Sequence, residues 1–328
     1  MMDLYQAALQ SRSGASGFYN DNIRLDIETG PVIVRIPIAG ADSMDLRIWP
    51  EYEVLAAIAT HVEHVPRLLH VSKNPFFQVH EFIAGDVVDD IAPRGERVPQ
   101  AVLRDVVRLF VQLTSVPLRE LPQLPPSWPE ETDTAGFARL LSDVTRKVHT
   151  AFREDYQSLF SALAIPDDPL GPIITRWPEL HPRPFSLIHC DVHRKNMIVS
   201  GEHVAFLDWE LALWGDPVYE LAVHLHKMAY QEDEREAVLD GWLRNMPTQR
   251  THGWRRDLDI YLAHERVKSA VVDSVRYAQL ISSGSLSTEQ EKELCIKLTN
   301  KINAAHKVWQ HQGWMTVMQV DAALHGKG

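Results

Sequence analysis

The chain has only two cysteines, Cys190 and Cys295, among 328 residues, too few for a disulfide framework. Both read as free thiols, which points to a reducing cytoplasm. No run approaches the length of a membrane span without a charge. The start, Met1-Met2-Asp3-Leu4-Tyr5-Gln6, lacks the basic-then-apolar order of a signal peptide. Basic clusters are missing too, and a formal charge of −11 argues against a nucleic-acid partner. Internal repeats and low-complexity tracts are absent. What remains is a globular protein of ordinary composition, expected to work as a monomer or homodimer without membrane or nucleic acid. Its length suggests two domains or lobes.

Against that plain background one stretch stands out: His189-Cys190-Asp191-Val192-His193-Arg194-Lys195-Asn196, followed by Phe206-Leu207-Asp208. A carboxylate, an amide five residues beyond it, and an apolar strand ending in a second carboxylate form the pattern of enzymes that move the γ-phosphate of a nucleotide. Residues 197–200 and 204–207 are β-prone and separated by Gly201-Glu202-His203, so a hairpin with a three-residue loop is expected. Pairing Ser200 with Val204 sets Asn196 opposite Asp208, where two oxygens can share a Mg2+. Asp191, in the loop before the hairpin, suits a carboxylate that orients an attacking hydroxyl and accepts its proton. A rival reading makes His189, Asp191 and His193 zinc ligands. The zinc-hydrolase strings are missing, however, and His189 is expected instead to hold the loop by bonding backbone.

Upstream, Ser13-Gly14-Ala15-Ser16-Gly17 reads as a small-residue loop leading into a hairpin over 23–27 and 32–36. Such a loop can drape N–H groups over phosphates. Arg35 is a charge inside an apolar strand, costly unless paired. Its expected partner is Glu51, in the first turn of a helix opened by Pro50, leaving donors over for nucleotide phosphates. Two more strands, 65–71 and 76–82, lead to a connection at Glu81-Phe82-Ile83, where backbone groups would read the base. Helices are expected over 98–115 and 137–152, with a proline-rich link between. Another starts at Asp216-Pro217, and a helical tail over 257–310 has its last helix opened by a Thr288/Glu291 capping box.

In this order, the loop, Arg35, Glu51, the connection and the two catalytic strings resemble the aminoglycoside phosphotransferase/choline kinase family. That resemblance implies an α+β, bilobal protein-kinase-like fold: a small β-rich N-lobe over 1–83 and a mainly helical C-lobe over 84–328. It implies Asp191 as catalytic base, Asn196 and Asp208 as Mg2+ ligands, and Ser13, Gly14, Ser16, Gly17, Arg35, Glu51, Glu81 and Ile83 around ATP or GTP. Asp216 matches the family's structural aspartate behind the catalytic loop. Glu220 replaces the usual Asp, a change expected to alter a helix-face contact. Because only Trp209 to Gly215 separates Asp208 from Asp216, no activation loop can dock a peptide, and the acceptor is expected to be a small hydroxylated molecule. Glu210, Trp214 and Glu265 are candidates to touch it. On one helix of the tail, Glu265, Lys268, Asp273 and Arg276 either line the acceptor pocket or pair along the surface. The leading expectation is an antibiotic-inactivating O-phosphotransferase, then a metabolic kinase for a sugar or amino alcohol, and last a non-catalytic nucleotide-binding module.

Overall fold

The computed structural model describes residues 2–11, 14–17, 19–40 and 44–326. After the helix Met2–Gln10, five strands form one antiparallel sheet in the order β1-β2-β3-β5-β4: β1 Gly14–Ser16, β2 Asn20–Ile27, β3 Gly30–Pro37, β4 Leu68–Lys73 and β5 Phe76–Glu81. Period-two alternation decides its faces. Val32 and Val34 of β3 point to a small core with Ala8, Ile23, Phe77 and Val79. Arg35, one residue on, points to the other face, flanked across the sheet by Asn22 and Gln78. That face is covered by the helix Glu51–Ile58, which buries Val54, Leu55 and Ile58. Each such side chain contributes about 1.5–3 kcal/mol.

The rest of the chain is mainly helical. Helices Gln100–Leu113, Thr134–Phe152, Pro217–Met228, Trp254–Ser282 and Thr288–Trp309 share one large core with Trp177, Trp209 and Trp242 at its centre. The Trp254–Ser282 helix has 29 residues, about 43 Å at 1.5 Å per residue. Among the described residues, no helix is long and apolar enough to cross a membrane. Both cysteines are buried and free.

Two small sheets frame the motif strings. β6 Asp86–Val87, β8 Met197–Ser200 and β9 His203–Phe206 form one; β7 Ser186–Ile188 and β10 Leu213–Gly215 form the other. The catalytic string therefore bridges β7 to β8, and residues 207–212 bridge β9 to β10. Gly85 (φ +152°) lets the connection from β5 press onto the hairpin: a Cβ there would lie 2.2 Å from the Val199 carbonyl.

Local geometry departs from the expectations in three places. The β8–β9 hairpin pairs Ser200 with His203 and Val199 with Val204, so its turn is Gly201-Glu202 alone. Gly201 has φ +61° and Glu202 is not left-handed, the signature of a two-residue II′ turn with glycine first. The register is one residue from that expected, and Asn196 lies opposite Leu207 rather than Asp208. Second, Gly14–Ser16 is a strand paired with β2, and the turn that follows spends the Gly17 N–H on the Asn20 carbonyl at 2.9 Å. That N–H is therefore not free for a phosphate, and Ser13 lies outside the described residues. Third, the capping box of Thr288–Trp309 is Ser287 with Gln290, one residue before the expected pair, because the extended Ser287 is the residue that can cap.

Candidate active site

Two left-handed residues shape the site. Cys190 (φ +62°) and Asp208 (φ +64°) turn the chain sharply beside the two key carboxylates. Such a backbone costs about 1–3 kcal/mol for an ordinary side chain, so it must be held in place. Glu220 accepts the Cys190 N–H at 2.8 Å, and His189 Nδ1 accepts the Asp191 N–H at 3.2 Å. The other nitrogen of His189 donates to the Leu207 carbonyl at 3.1 Å, joining the two strings. Burial pushes the His189 pKa down to about 4, so the ring stays neutral, one nitrogen donating and one accepting. With both nitrogens spent, His189 is the loop-holder expected rather than a zinc ligand.

Beneath the loop, Arg194 is buried and donates to the carbonyls of Ala92 (2.6 Å), Glu96 (2.9 Å) and Met228 (3.0 Å). Deeper still, Arg183 donates to both oxygens of Asp216 (3.0 and 2.7 Å) and also pairs with Asp257. Asp216 caps Pro217–Met228 through the Val218 N–H at 2.9 Å and accepts from Tyr261 at 2.9 Å. Here the expectations need correcting. Asp216 supports the helix framework, and it is Glu220 that reaches the catalytic loop; its extra methylene carries the carboxylate to the backbone. Burial pushes the Glu220 acid up to about 7.

Asp191 itself is gripped on several sides. Asn196 donates to its Oδ2 at 2.8 Å and to its carbonyl at 3.1 Å; Lys227 pairs with Oδ1, and His193 lies 3.5 Å from it. Burial raises the acid's pKa, but Lys227 and then His193 outweigh that and hold it well below the usual carboxylate range. Because the Asn196 amide donors go to Asp191, its oxygen faces away from that carboxylate.

Across from the loop stands a second cluster. Arg35 lies 2.8 Å from Glu51 through Nε, an electrostatic contact off line for a hydrogen bond. The same guanidinium donates to Asp208 and, at 3.3 Å, to Asn22. Glu51 also accepts the Trp209 N–H at 3.0 Å, tying the N-lobe helix to the residue after Asp208. Glu210 accepts from Asn20 at 2.7 Å and Arg47 at 3.3 Å and sits 3.5 Å from Arg35. Three carboxylates thus share two guanidiniums. Burial first, then Asp208, pushes Glu210 up to about 7.

The other predicted site residues are distributed differently from the expectation. Glu210 belongs to the Arg35 cluster, not to an acceptor surface. Trp214 is buried in β10 with its indole donating to Glu131 at 3.1 Å, so it offers no stacking face. Glu265 is buried against Tyr219 (2.9 Å) and His264 (3.1 Å). Glu81 pairs with Arg67 at 3.0 Å on the outer side, and its N–H goes to the Arg67 carbonyl at 2.9 Å. Ile83 lies in the irregular connection after β5. Lys227, Arg183, Arg194 and Asp257 were not singled out from sequence. Only Arg194 carried a signal, its place inside the motif string.

A profile of the phosphotransferase enzyme family matches residues 12–257. No curated protein matches. Among solved structures, a choline/ethanolamine kinase family protein from Mesorhizobium loti is 19% identical with a TM-score of 0.55, covering 99% of each chain. Plasmodium vivax ethanolamine kinase is 13% identical with a TM-score of 0.59, over 88% of this chain and 80% of that one. An aminoglycoside phosphotransferase in ternary complex with ADP and hygromycin B is 13% identical with a TM-score of 0.57, over 96% and 99%. These likenesses place the fold among bilobal kinases, and the profile covers most of the chain: it belongs to the phosphotransferase enzyme family.

Proposed function

We propose that this phosphotransferase moves the γ-phosphate of ATP or GTP to a hydroxyl of a small molecule, with Asp191 as base and Asn196 and Asp208 as ligands of Mg2+. The observation that carries the reading is the fixed Asp191 carboxylate, held by Asn196 and Lys227 on a loop that His189 ties to the Asp208 string. The donor set fits the metal: an amide oxygen and a carboxylate are hard oxygen donors, and the surplus carboxylates around Arg35 favour a cation. Bound Mg2+ would neutralise charge on the nucleotide phosphates. Arg35, held by Glu51 and Asp208, would supply positive charge on the same side.

In the transfer, the acceptor oxygen bonds to the γ-phosphorus as the bond to the β-phosphate oxygen breaks. ADP or GDP leaves, and the hydroxyl proton passes to Asp191. Lys227 releases Asp191 toward the hydroxyl while keeping positive charge beside the transferring group. Antibiotics and amino alcohols are both candidate acceptors, a reading supported by two structures of similar fold, one holding hygromycin B and the other an ethanolamine kinase. An antibiotic acceptor remains the leading reading from sequence, with a metabolic hydroxyl compound beside it. The test is Asp191→Ala assayed with Mg-ATP and Mg-GTP over a library of both classes. Turnover should fall by about 10²–10⁴-fold while nucleotide affinity, read by calorimetry, is kept. Unimpaired turnover sinks the assignment.

A further inference from the structure

Beside the catalytic loop lies a cavity of about 20 Å³, lined by Cys190, Tyr219, His264, Lys268, Leu213 and Asp45 among others. It has room for about one water, so any acceptor entering from this side must displace part of the wall. Asp45 is the part that stands out. It comes from residues 44–50, just ahead of the helix Glu51–Ile58, whereas the cations around it, Lys268 and Arg276, belong to the long helix Trp254–Ser282. Its carboxylate accepts from Arg276 at 2.6 Å and from Tyr19 at 2.9 Å, and it lies 3.5 Å from Lys268. Lys268 and Arg276 are eight residues apart, about 12 Å of helix rise, and one foreign carboxylate bridges them.

The neighbouring charges alternate in sign. Glu265 meets Lys268 (3.9 Å), Lys268 meets Asp45, Asp45 meets Arg276, Arg276 meets Asp273 (3.8 Å), and Asp273 pairs with Lys301. Lys227 pairs with Asp191 and also interacts with Asp45 and Lys268, linking this chain to the catalytic carboxylate. Counting that pair, four carboxylates face four cations among the described residues. Removing Asp45 alone leaves one positive charge in excess. Partly buried cations stripped of a partner are costly, so whatever displaces Asp45 must bring a negative charge.

On the phosphotransferase reading above, we propose that the acceptor is a hydroxylated carboxylate whose anionic group takes the seat of Asp45 between Lys268 and Arg276, with its hydroxyl toward Asp191. A polycationic acceptor would meet Lys227, Lys268 and Arg276 with the wrong sign.

The test assays the full chain with Mg-ATP and Mg-GTP on matched compounds: short hydroxy acids, their amides and the corresponding amino alcohols. The carboxylates should be preferred over their amides by about ten- to hundredfold in kcat/KM, the worth of a charged hydrogen bond. Arg276→Gln or Lys268→Gln should erase that preference by raising KM for the carboxylates alone, and Asp45→Ala should lower that KM. A purely structural Asp45 would not produce such a charge-selective change. Acetate should raise the melting temperature of Asp45→Ala more than that of the unaltered protein; Asp45→Asn serves if the alanine variant fails to fold. Transfer that favours amines or amides and ignores Arg276→Gln overturns this inference and leaves the phosphotransferase reading standing. No transfer to any compound, with acetate still stabilising Asp45→Ala, keeps the anion seat and overturns the assigned reaction. If the carboxylates are not preferred and acetate does not stabilise Asp45→Ala, the seat is overturned.

Discussion

The two sides of the catalytic loop handle charge in opposite ways. On the nucleotide side, Glu51, Asp208 and Glu210 crowd around Arg35 and Arg47, leaving negative charge in surplus. On the acceptor side, Glu265, Asp45, Asp273 and Asp191 are matched one for one by Lys268, Arg276, Lys301 and Lys227. The first arrangement carries unmatched negative charge that a cation would offset. The second is balanced among the described residues, and on the inference above it would have to be opened before a substrate could enter. On the two proposals above, such a site would bind its metal by attraction and its acceptor by exchange.

The strongest way to break the contrast is to enlarge the nucleotide-side surplus. Arg35→Met removes the buried partner of Glu51 and Asp208 and should cost about 3–5 kcal/mol in urea unfolding. Added Mg2+ should recover part of that loss. If Mg2+ leaves the variant's stability unchanged, the surplus does not act as a cation site. The converse change shrinks the surplus. Asp208→Ala should reduce kcat/KM by about a hundred- to a thousandfold, the scale of losing one preorganised electrostatic contact. Its unfolding midpoint should hold or rise, since one of the crowded carboxylates is gone. A loss of activity that merely tracked a loss of stability would contradict this.

Glu220, beneath the loop between the two sides, gives the next largest effect. Its acid is raised from 4.5 to about 7 by burial, so between those values the folded state holds a proton that the unfolded state has released. Its contribution to stability is therefore fully present below about pH 4.5 and is lost as pH rises toward 7. The span is up to about 3 kcal/mol. Glu220→Gln still offers an oxygen to the Cys190 N–H and should flatten that part of the pH–stability curve, measured by denaturant titration from pH 5 to 8. A curve of unaltered slope would show that Glu220 is solvated or protonated in both states. The smallest effect belongs to a control far from both clusters. Ser287→Ala removes the N-cap of Thr288–Trp309, should cost about 1 kcal/mol, and should leave the Mg2+ dependence of activity alone.

Much of this molecule was legible locally. The alternation of β3 turned Arg35 away from Val32 and Val34, and the lone charge in an apolar strand pointed to Glu51, which it meets at 2.8 Å. Asp216-Pro217 gave a cap and a helix start. The hairpin was legible in kind but not in register, because a glycine with positive φ closes a two-residue turn where the residue count also allowed three. Asn196 therefore faces Leu207, and Asp208 is turned toward Arg35 by its own left-handed backbone. The roles of Glu220 and Lys227 carried no local sign at all. Both sit on the helix Pro217–Met228, which is buried nearly all round, and acquire their meaning from the loop that folds against it.

What the sequence determined by itself was the order of chemical parts: a carboxylate, an amide and a second carboxylate on short strands, behind a sheet carrying one out-of-place arginine. Those follow from backbone periodicity and turn chemistry, which act over a few residues. Which charges meet was decided only by the tertiary structure. Asp45 reaches Arg276 across 231 positions of the chain, and Arg35 reaches Asp208 across 173. Pairings of that span have no local signature, because they are set by how two lobes pack and by the cost of leaving a buried charge alone.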